Sequence, residues 1–411
     1  MQEQILIMAV KHPTQTDEHF ESSLQELSSL CNTAGGTVKK IVTQKRNRIH
    51  PATYIGEGKI DEISNFVEEL EIDIVISNDE LSAGQSRNLS ERFGVRLIDR
   101  SQLILDIFAM RAKTKEGKLQ VELAQLEYLL PRLHGQGTAL SRLGAGIGTR
   151  GPGETKLETD QRHIRRRIYD IQRRFKVVVS QREQYRKRRK TNQAFQIAIV
   201  GYTNAGKSTL FNRITKEQSL EEDQLFATLD PLTRHFQLPS GFQALVTDTV
   251  GFLQDLPTSL IAAFRSTLEE VTEADFILHV VDGSDPDKDQ QQETVHKLLQ
   301  DLDATSIPTL TVYNKKDKIS EEFIPNNHPY IVISAFNKED ITKLFVKIES
   351  LLEAEWDWYS TALDPDEGKM INRLEHETIV KGREFDAELD QYKINGFIKQ
   401  NHPIQNILKE Q

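Results

Sequence analysis

Residues 201–208 read GYTNAGKS and come directly after the apolar run FQIAIV. That spacing is suited to holding phosphate. Backbone N–H groups of such a loop wrap a β-phosphate, and the helix that begins there turns its positive end to the same charge. Lys207 can reach the β- and γ-phosphate oxygens, and the Ser208 hydroxyl can ligate Mg²⁺. Gly201 and Gly206 keep Cβ atoms out of the way and permit positive φ. Tyr202, Thr203, Asn204, Ala205 and Thr209 complete the expected cradle. The Asn204 amide oxygen could also help bind a monovalent cation such as K⁺. The plainer alternative is an asparagine that tolerates a turn.

Three further elements follow in order. Asp248-Thr249-Val250-Gly251 ends the run ALVTD, Asn314-Lys315-Lys316-Asp317 follows TLTVY, and Ser334-Ala335-Phe336 follows PYIVI. Each falls at the carboxyl end of a predicted strand, where an open α/β sheet binds its ligand. Asp248 is placed to hold Mg²⁺ through a water, and the Gly251 N–H to sense a γ-phosphate. Asp317 can accept two hydrogen bonds from guanine N1–H and its amino group, which adenine does not offer. Asn314 would brace that loop, the Lys315 stem would cover the base, and the N–H near Ala335 would meet guanine O6. The expected ligand is therefore GTP, or GDP after hydrolysis. In the GTP state a mobile loop must supply a hydroxyl for Mg²⁺. The stretch FATLDPLTR offers Thr228 and Thr233; Thr228 is the choice, with Phe226, Ala227, Leu229 and Asp230 around it. After Gly251, where Ras-like GTPases carry a glutamine that orients water, stands Phe252, which has no donor or acceptor to offer. Lys207, Thr228 and Gly251 remain as the catalytic set, and slow intrinsic hydrolysis is expected.

GYTNAGKST, FATLDP, DTVGFLQDLP and NKKD, with the glycine-rich run at 144–160 and YIGEGK at 54–59, together resemble the HflX family of the Obg–HflX group of translational GTPases. The resemblance covers nearly the whole chain in order. It implies a P-loop G domain, a hydrophobic residue in place of the catalytic glutamine, and insertion of the glycine-rich loop into the large ribosomal subunit. It further implies dissociation of stalled or idle ribosomes, often under stress.

The supporting elements are legible too. Residues 1–105 alternate strand-like ILIMAV, TVKKIVTQ, IDIVIS and VRLID with helical stretches, a small α/β domain with a mainly parallel sheet. Gly56-Glu57-Gly58-Lys59 reads first as a turn with a helix cap and second as an anion site. Residues 106–192 read as a helical hairpin. Leu119, Leu123, Leu126, Leu130 and Leu133 form one seam; Leu157, Ile164, Ile168, Ile171, Phe175 and Val178 form the other. The glycine-rich loop would sit at the tip, projected away from the nucleotide. A G domain is expected over 195–362, and a small α+β domain over 365–411, with a turn at residues 394–397 before a last strand.

Charge singles out the second helix. Residues 161–190 carry thirteen Lys/Arg against Asp170 and Glu183, a local +11 in a chain whose total is −10. A basic stripe on an acidic protein is an electrostatic footprint for nucleic acid. Arg162, Arg165, Arg166, Arg167, Arg173 and Arg174 on the helix, and Arg142 and Arg150 in the loop, are the candidate RNA contacts, with a solvated helix face as the alternative. The lone Cys31 rules out an internal disulfide, no apolar run is long enough for a bilayer, and MQEQILIMAV has no signal-peptide features. A cytoplasmic monomer, associated with ribosomes and with no membrane partner, is expected. A GTPase serving RNA modification or remodelling is the alternative, since Phe252 would fit it as well.

Overall fold

Apolar runs without alternation, such as ILIMAV, need cover on both faces of a sheet. The structure, a computed structural model, describes residues 2–133, 156–191, 194–216, 226, 231–254, 268, 270–319 and 323–409. The chain divides into two units. One is Met1–Gln181 with Asp223–Asp230 and Gln254–Ser266; the other is Arg182–Glu222, Pro231–Leu253 and Thr267–Gln411.

In the first unit β1 (Gln4–Lys11), β2 (Thr37–Lys45), β3 (Ile74–Ser77) and β4 (Arg96–Asp99) form an all-parallel sheet in the order β2-β1-β3-β4. Helices α1 (Asp17–Thr33), α2 (Glu57–Glu69), α3 (Ala83–Phe93) and α4 (Arg100–Arg111) link and cover it. Local signals set their ends. A Ser82/Gln85 capping box starts α3, and Gly94 at φ 67° stops it. Asp99 caps α4 by accepting from the Gln102 N–H at 2.9 Å. Because α4 runs unbroken to Arg111, the division expected at 105/106 falls inside a helix. Gly56 is the start of α2, and its N–H donates to Gln44 at 2.9 Å. Lys59 pairs with Glu62 at 2.7 Å.

Next come α5 (Lys115–Leu133) and α6 (Lys156–Thr191). The 36 residues of α6 span about 54 Å at 1.5 Å per residue. Of its expected seam, Ile171 is fully buried and Ile164, Ile168, Phe175 and Val178 are half-buried, while the Leu157 side chain lies outside what is described. On α5 the seam shifts. Gly117, Gln120, Val121 and Ala124 are the buried positions, while the leucines are half-buried at best. Small residues let α5 lie close to its neighbours, and the leucines flank that contact. Arg167 reaches Glu122 with two bonds, at 2.6 and 2.9 Å, tying α6 to α5. The glycine-rich loop lies outside the described residues.

The second unit holds β5 (Phe195–Gly201), α7 (Lys207–Thr215), β6 (Leu232–Gln237), β7 (Gln243–Asp248), β8 (Phe276–Asp282), α8 (Lys288–Asp301), β9 (Thr309–Asn314), β10 (Tyr330–Val332) and α9 (Lys338–Glu355). The sheet order is β10-β9-β8-β5-β7-β6, parallel except for β6. A second, antiparallel sheet of β11 (Asp357–Leu363), β13 (Gln391–Ile398) and β12 (Ile379–Asp386) is packed by α10 (Gly368–Glu377) and α11 (Pro403–Lys409). The two sheets share a core: Trp356 meets Phe195 and Phe242 edge-on at 5.6 and 5.2 Å, and Ile379 joins the same cluster.

Two expectations change here. The small sheet begins at Asp357, inside the 195–362 expected for the G domain. Ile394-Asn395-Gly396-Phe397 is the middle of β13, not a turn. Asn-Gly suggests a hairpin turn, but Gly396 answers a different need: a Cβ there would sit 2.2 Å from the Ile379 carbonyl oxygen. Gly396→Ala should therefore destabilise the second unit by about 1–3 kcal/mol, read as a lower midpoint in urea unfolding. An unchanged midpoint would mean the strands do not approach this closely.

Candidate active site

β5 delivers the chain into the loop 201–208, and each glycine there has a steric reason. A Cβ on Gly201 would lie 2.1 Å from the Val280 carbonyl oxygen of β8. Gly206 has φ 90°, and a Cβ on it would lie 2.2 Å from Asn314 Nδ2. That contact shows what the second glycine allows. The Asn314 side chain donates to the Ala205 carbonyl at 3.0 Å and accepts from the Ala335 N–H at 3.0 Å. One carboxamide thus ties the phosphate loop to both base-reading segments.

Around the loop, Asn204 is exposed at φ 61°, Ala205 is fully buried, and Thr209 is half-buried on the first turn of α7. Lys207 is buried and donates to its own loop, at the Tyr202 carbonyl, 2.6 Å away. Burial pushes its pKa down to about 8, with the Asp248 carboxylate pulling back upward. His279 on β8 is buried as well. Burial, then His296 and Lys207, hold its pKa at about 4, so it is neutral. The sequence gives no cue for it, since a histidine inside FILHVVD reads as core.

The Ser208 hydroxyl donates to Asp248 Oδ2 at 2.8 Å. A hydroxyl and a carboxylate in contact at the foot of a phosphate loop are oxygen donors of the kind Mg²⁺ takes, with the remaining positions left to water and phosphate. The pair fits the ion. Among the described residues no cluster of three or more His, Cys, Asp or Glu could hold a metal.

β7 ends at Asp248, and Thr249 anchors the turn by donating to the Ile199 carbonyl at 2.7 Å. Val250 is buried. Gly251 lies over the loop: a Cβ on it would be 2.8 Å from Thr203 Cγ2 and 3.0 Å from Lys207 Nζ. Phe252 is 2 % exposed and joined to the loop by its backbone. Its N–H donates to the Gly201 carbonyl at 3.1 Å, and its carbonyl accepts from the Thr203 N–H at 2.8 Å. The side chain is buried and has no donor or acceptor to offer a water.

The candidate base-reading residues lie at and just past the end of β9 and just past β10. Lys315, at φ 60°, pairs with Asp282 at 2.7 Å, an acid the sequence motifs do not flag. Asp317 is exposed. Its carboxyl is held below the usual range first by a hydrogen bond from the Ser334 hydroxyl, 2.7 Å away. Phe336 is exposed, with the Arg213 guanidinium 5.6 Å from its ring centre. Of residues 226–230, Phe226 is buried with its ring edge-on to Phe108 at 4.5 Å. Ala227, Thr228, Leu229 and Asp230 lie outside the described residues. Thr233, the threonine not chosen, is on β6 and shares a 2.9 Å hydrogen bond with Thr247.

A phosphate loop, a Ser/Asp pair for Mg²⁺ and an Asn-Lys-Lys-Asp loop at the carboxyl edge of one sheet define a P-loop GTPase. Residues 21–109 match the family described as GTP-binding GTPase N-terminal, 111–189 the GTP-binding GTPase Middle Region, and 196–315 the 50S ribosome-binding GTPase. The chain is 56 % identical over 395 residues to GTPase HflX of Alkalihalophilus pseudofirmus, covering 96 % of this chain and 93 % of that one. It is 44 % identical over 366 residues to GTPase HflX of Escherichia coli, covering 87 % and 86 %. A solved GTP-binding protein of Sulfolobus solfataricus in complex with GDP is similar at TM-score 0.44 and 24 % identity, over 85 % of this chain and 98 % of that one. The chain belongs to the HflX family of GTPases and is a GTP hydrolase.

Two outcomes follow from the geometry. Gly206→Ala displaces the Asn314 bridge and should weaken GDP binding about tenfold or more, since a lost buried pairing costs roughly 1–3 kcal/mol; equilibrium titration with labelled GDP reads this. Phosphate should restore the charge on Lys207, so binding GDP at about pH 8.5 takes up a proton, whereas at about pH 6.5 Lys207 is already charged and contributes none. Calorimetry in two buffers of different ionisation enthalpy checks it, and equal heats at the higher pH would remove the buried-lysine account.

Proposed function

We propose that this GTPase acts on the large ribosomal subunit, coupling its nucleotide state to dissociation of stalled or idle ribosomes under stress. The basic helix carries the reading. On α6, Arg162, Arg165, Arg166, Arg173 and Arg174 are exposed; helical spacing puts Arg162, Arg166 and Arg173 opposite the Ile164–Ile168–Ile171 seam, with Arg165 and Arg174 flanking it. That face suits RNA phosphates. Arg167 serves differently, since its two bonds to Glu122 brace the hairpin. Arg142 and Arg150 lie outside the described residues and are proposed as contacts on sequence grounds alone. The 50S ribosome-binding description of the family matched at 196–315 supports the choice of partner. Among the described residues no helix is long and apolar enough to cross a membrane.

In the proposed cycle Ser208 and Thr228, with Asp248 through a water, would hold Mg²⁺, which would supply charge neutralisation at the phosphates. Asn204, on the exposed rim of the loop, is the residue for K⁺. A γ-phosphate has to enter between Lys207 and Gly251, where a Cβ on Gly251 would already lie 3.0 Å from Lys207 Nζ, and so competes with the Phe252 backbone bridge to Gly201 and Thr203. GTP therefore moves the segment after Gly251 where GDP leaves it closed. With Phe252 unable to orient water, the ribosome completes the hydrolytic site.

Replacing Arg165, Arg166 and Arg173 together by Ala, and sparing Arg167, should reduce the slope of log affinity for large subunits against log salt by about 2–3. It should abolish stimulation of turnover by subunits while GDP affinity stays at the wild-type value. Sedimentation and GTP turnover with purified subunits measure both. Unchanged stimulation would sink the arm, and equal affinity for naked duplex RNA would favour a role in RNA modification or remodelling.

A further inference from the structure

Behind the base-reading loops lies a carboxylate that none of the nucleotide motifs includes. Asp340 sits in the first turn of α9, after Asn337, which caps that helix by accepting from the Glu339 N–H. Asp340 is 2 % exposed. A first-turn acid ordinarily serves its own helix or faces water. This one turns to the neighbouring loops. Its Oδ2 accepts from the Ser334 N–H at 3.0 Å, and its Oδ1 faces Lys316 Nζ at 3.4 Å and Lys343 Nζ at 3.7 Å. Burial alone would raise its pKa. The Ser334 N–H and the two ammonium groups outweigh burial and hold it below the usual carboxylate range, so it stays ionised.

Two of the partners of Asp340, Ser334 and Lys316, belong to the two halves of the base site, while Lys343 lies on its own helix. Ser334 precedes Ala335, and its hydroxyl donates to Asp317 Oδ1 at 2.7 Å. Lys316 is the neighbour of Asp317 in the chain. We propose that Asp340 is a positioning residue for guanine selectivity, fixing Ser334 from behind so that Ser334 fixes Asp317. Reading guanine at N1–H and at the amino group takes both oxygens of Asp317 at once. A site that needs two-point contact tolerates misplacement of only about 0.5 Å or 10–20°. Exposed as it is, the Asp317 carboxylate has the Ser334 hydroxyl as its restraint, and the Ser334 backbone is held by Asp340. The inference rests on Asp317 being the base reader.

The test uses the full chain with GDP, IDP and ADP as ligands. IDP keeps N1–H and O6 but lacks the amino group. Asp340→Ala should weaken GDP about tenfold, equivalent to ~1.4 kcal/mol, and IDP by less, so that the preference for GDP over IDP narrows. The loss should appear in KM for GTP and not in kcat. Asp340→Asn keeps an acceptor for the Ser334 N–H and should recover most of the preference. A lower Tm with an unchanged GDP-to-IDP ratio would show a purely structural role and overturn the proposal, as would an unchanged GDP affinity. If Asp340→Ala does not fold, Lys316→Met decides: a narrowed ratio supports the proposal, and a wild-type ratio overturns it. Wild-type protein that binds ADP as tightly as GDP would instead remove the Asp317 reading, leaving Asp340 with nothing to position.

Discussion

One asparagine side chain sets the limits within which the site is built. Asn314 donates to the Ala205 carbonyl and accepts from the Ala335 N–H, both at 3.0 Å, in a pocket where it is 3 % exposed. Each such bond contributes about 0.5–1.5 kcal/mol net, but breaking one leaves a buried group unpaired at a cost of roughly 1–3 kcal/mol. The asymmetry matters more than the sum. It forces the phosphate loop, the end of β9 and the segment after β10 to keep one mutual geometry. Gly206 is the steric condition for that bond, because any side chain there would occupy the carboxamide's place. The phosphate end and the base end of the nucleotide are therefore measured against a common reference before any ligand arrives.

Lys207 shows the complementary principle. A buried ammonium is costly, and here it is met by a single loop carbonyl with help from Asp248. Its charge is thus poorly compensated, and phosphate oxygens offer what the loop does not. Across the loop, Phe252 holds the Gly251 segment down through two backbone bonds, of 2.8 and 3.1 Å. The bulky ring that disqualifies Phe252 as a water-orienting residue also keeps its backbone seated, since the ring is buried and would have to be exposed for the segment to lift. Burying a phenylalanine contributes about 1.5–3 kcal/mol. In the proposed cycle a terminal phosphate that moved this segment would work against that amount and be compensated by satisfying Lys207. Hydrolysis in that cycle would remove the compensation, so Phe252 would make the segment responsive to the nucleotide.

Most of this was legible in the sequence because phosphate and guanine recognition depend on backbone geometry, and backbone geometry constrains residue type. Gly201, Gly206, Ser208, Asp248, Asn314 and Asp317 fall where the motifs put them, at the carboxyl ends of β5, β7 and β9. The seam of α6 was legible for a similar reason, since Ile164, Ile168, Ile171 and Phe175 repeat with helical period. What was not legible depends on packing between distant segments. The leucines of α5 carry the period, yet Val121 and Ala124 take the contact, because close approach favours small side chains over large ones. Asn395-Gly396 has the composition of a hairpin turn, but the nearness of the Ile379 carbonyl decides, and no local pattern reports it. Asp340 and His279 are invisible for the same reason: an acid in a helix's first turn and a histidine in an apolar strand each have an ordinary local explanation.

The basic helix poses a physical question of its own. Like charges three or four residues apart on a helix destabilise it by roughly 0.2–0.5 kcal/mol per pair. α6 carries such pairs at Arg162 with Arg165 and Arg166, and at Arg173 with Lys176. Only Asp170 and Glu183 offer local relief over residues 161–190. The apolar seam and the Arg167–Glu122 pair keep the helix in place against this repulsion, but neither reduces it on the exposed face. A polyanion laid along that face would, because each phosphate converts a repulsive neighbourhood into an attractive one and releases its condensed counterions. A stripe maintained merely for solubility has no need of one sign. A stripe of one sign, held on a helix of about 54 Å by its apolar seam, is an arrangement whose electrostatic cost a bound nucleic acid would lower, in keeping with the proposed role.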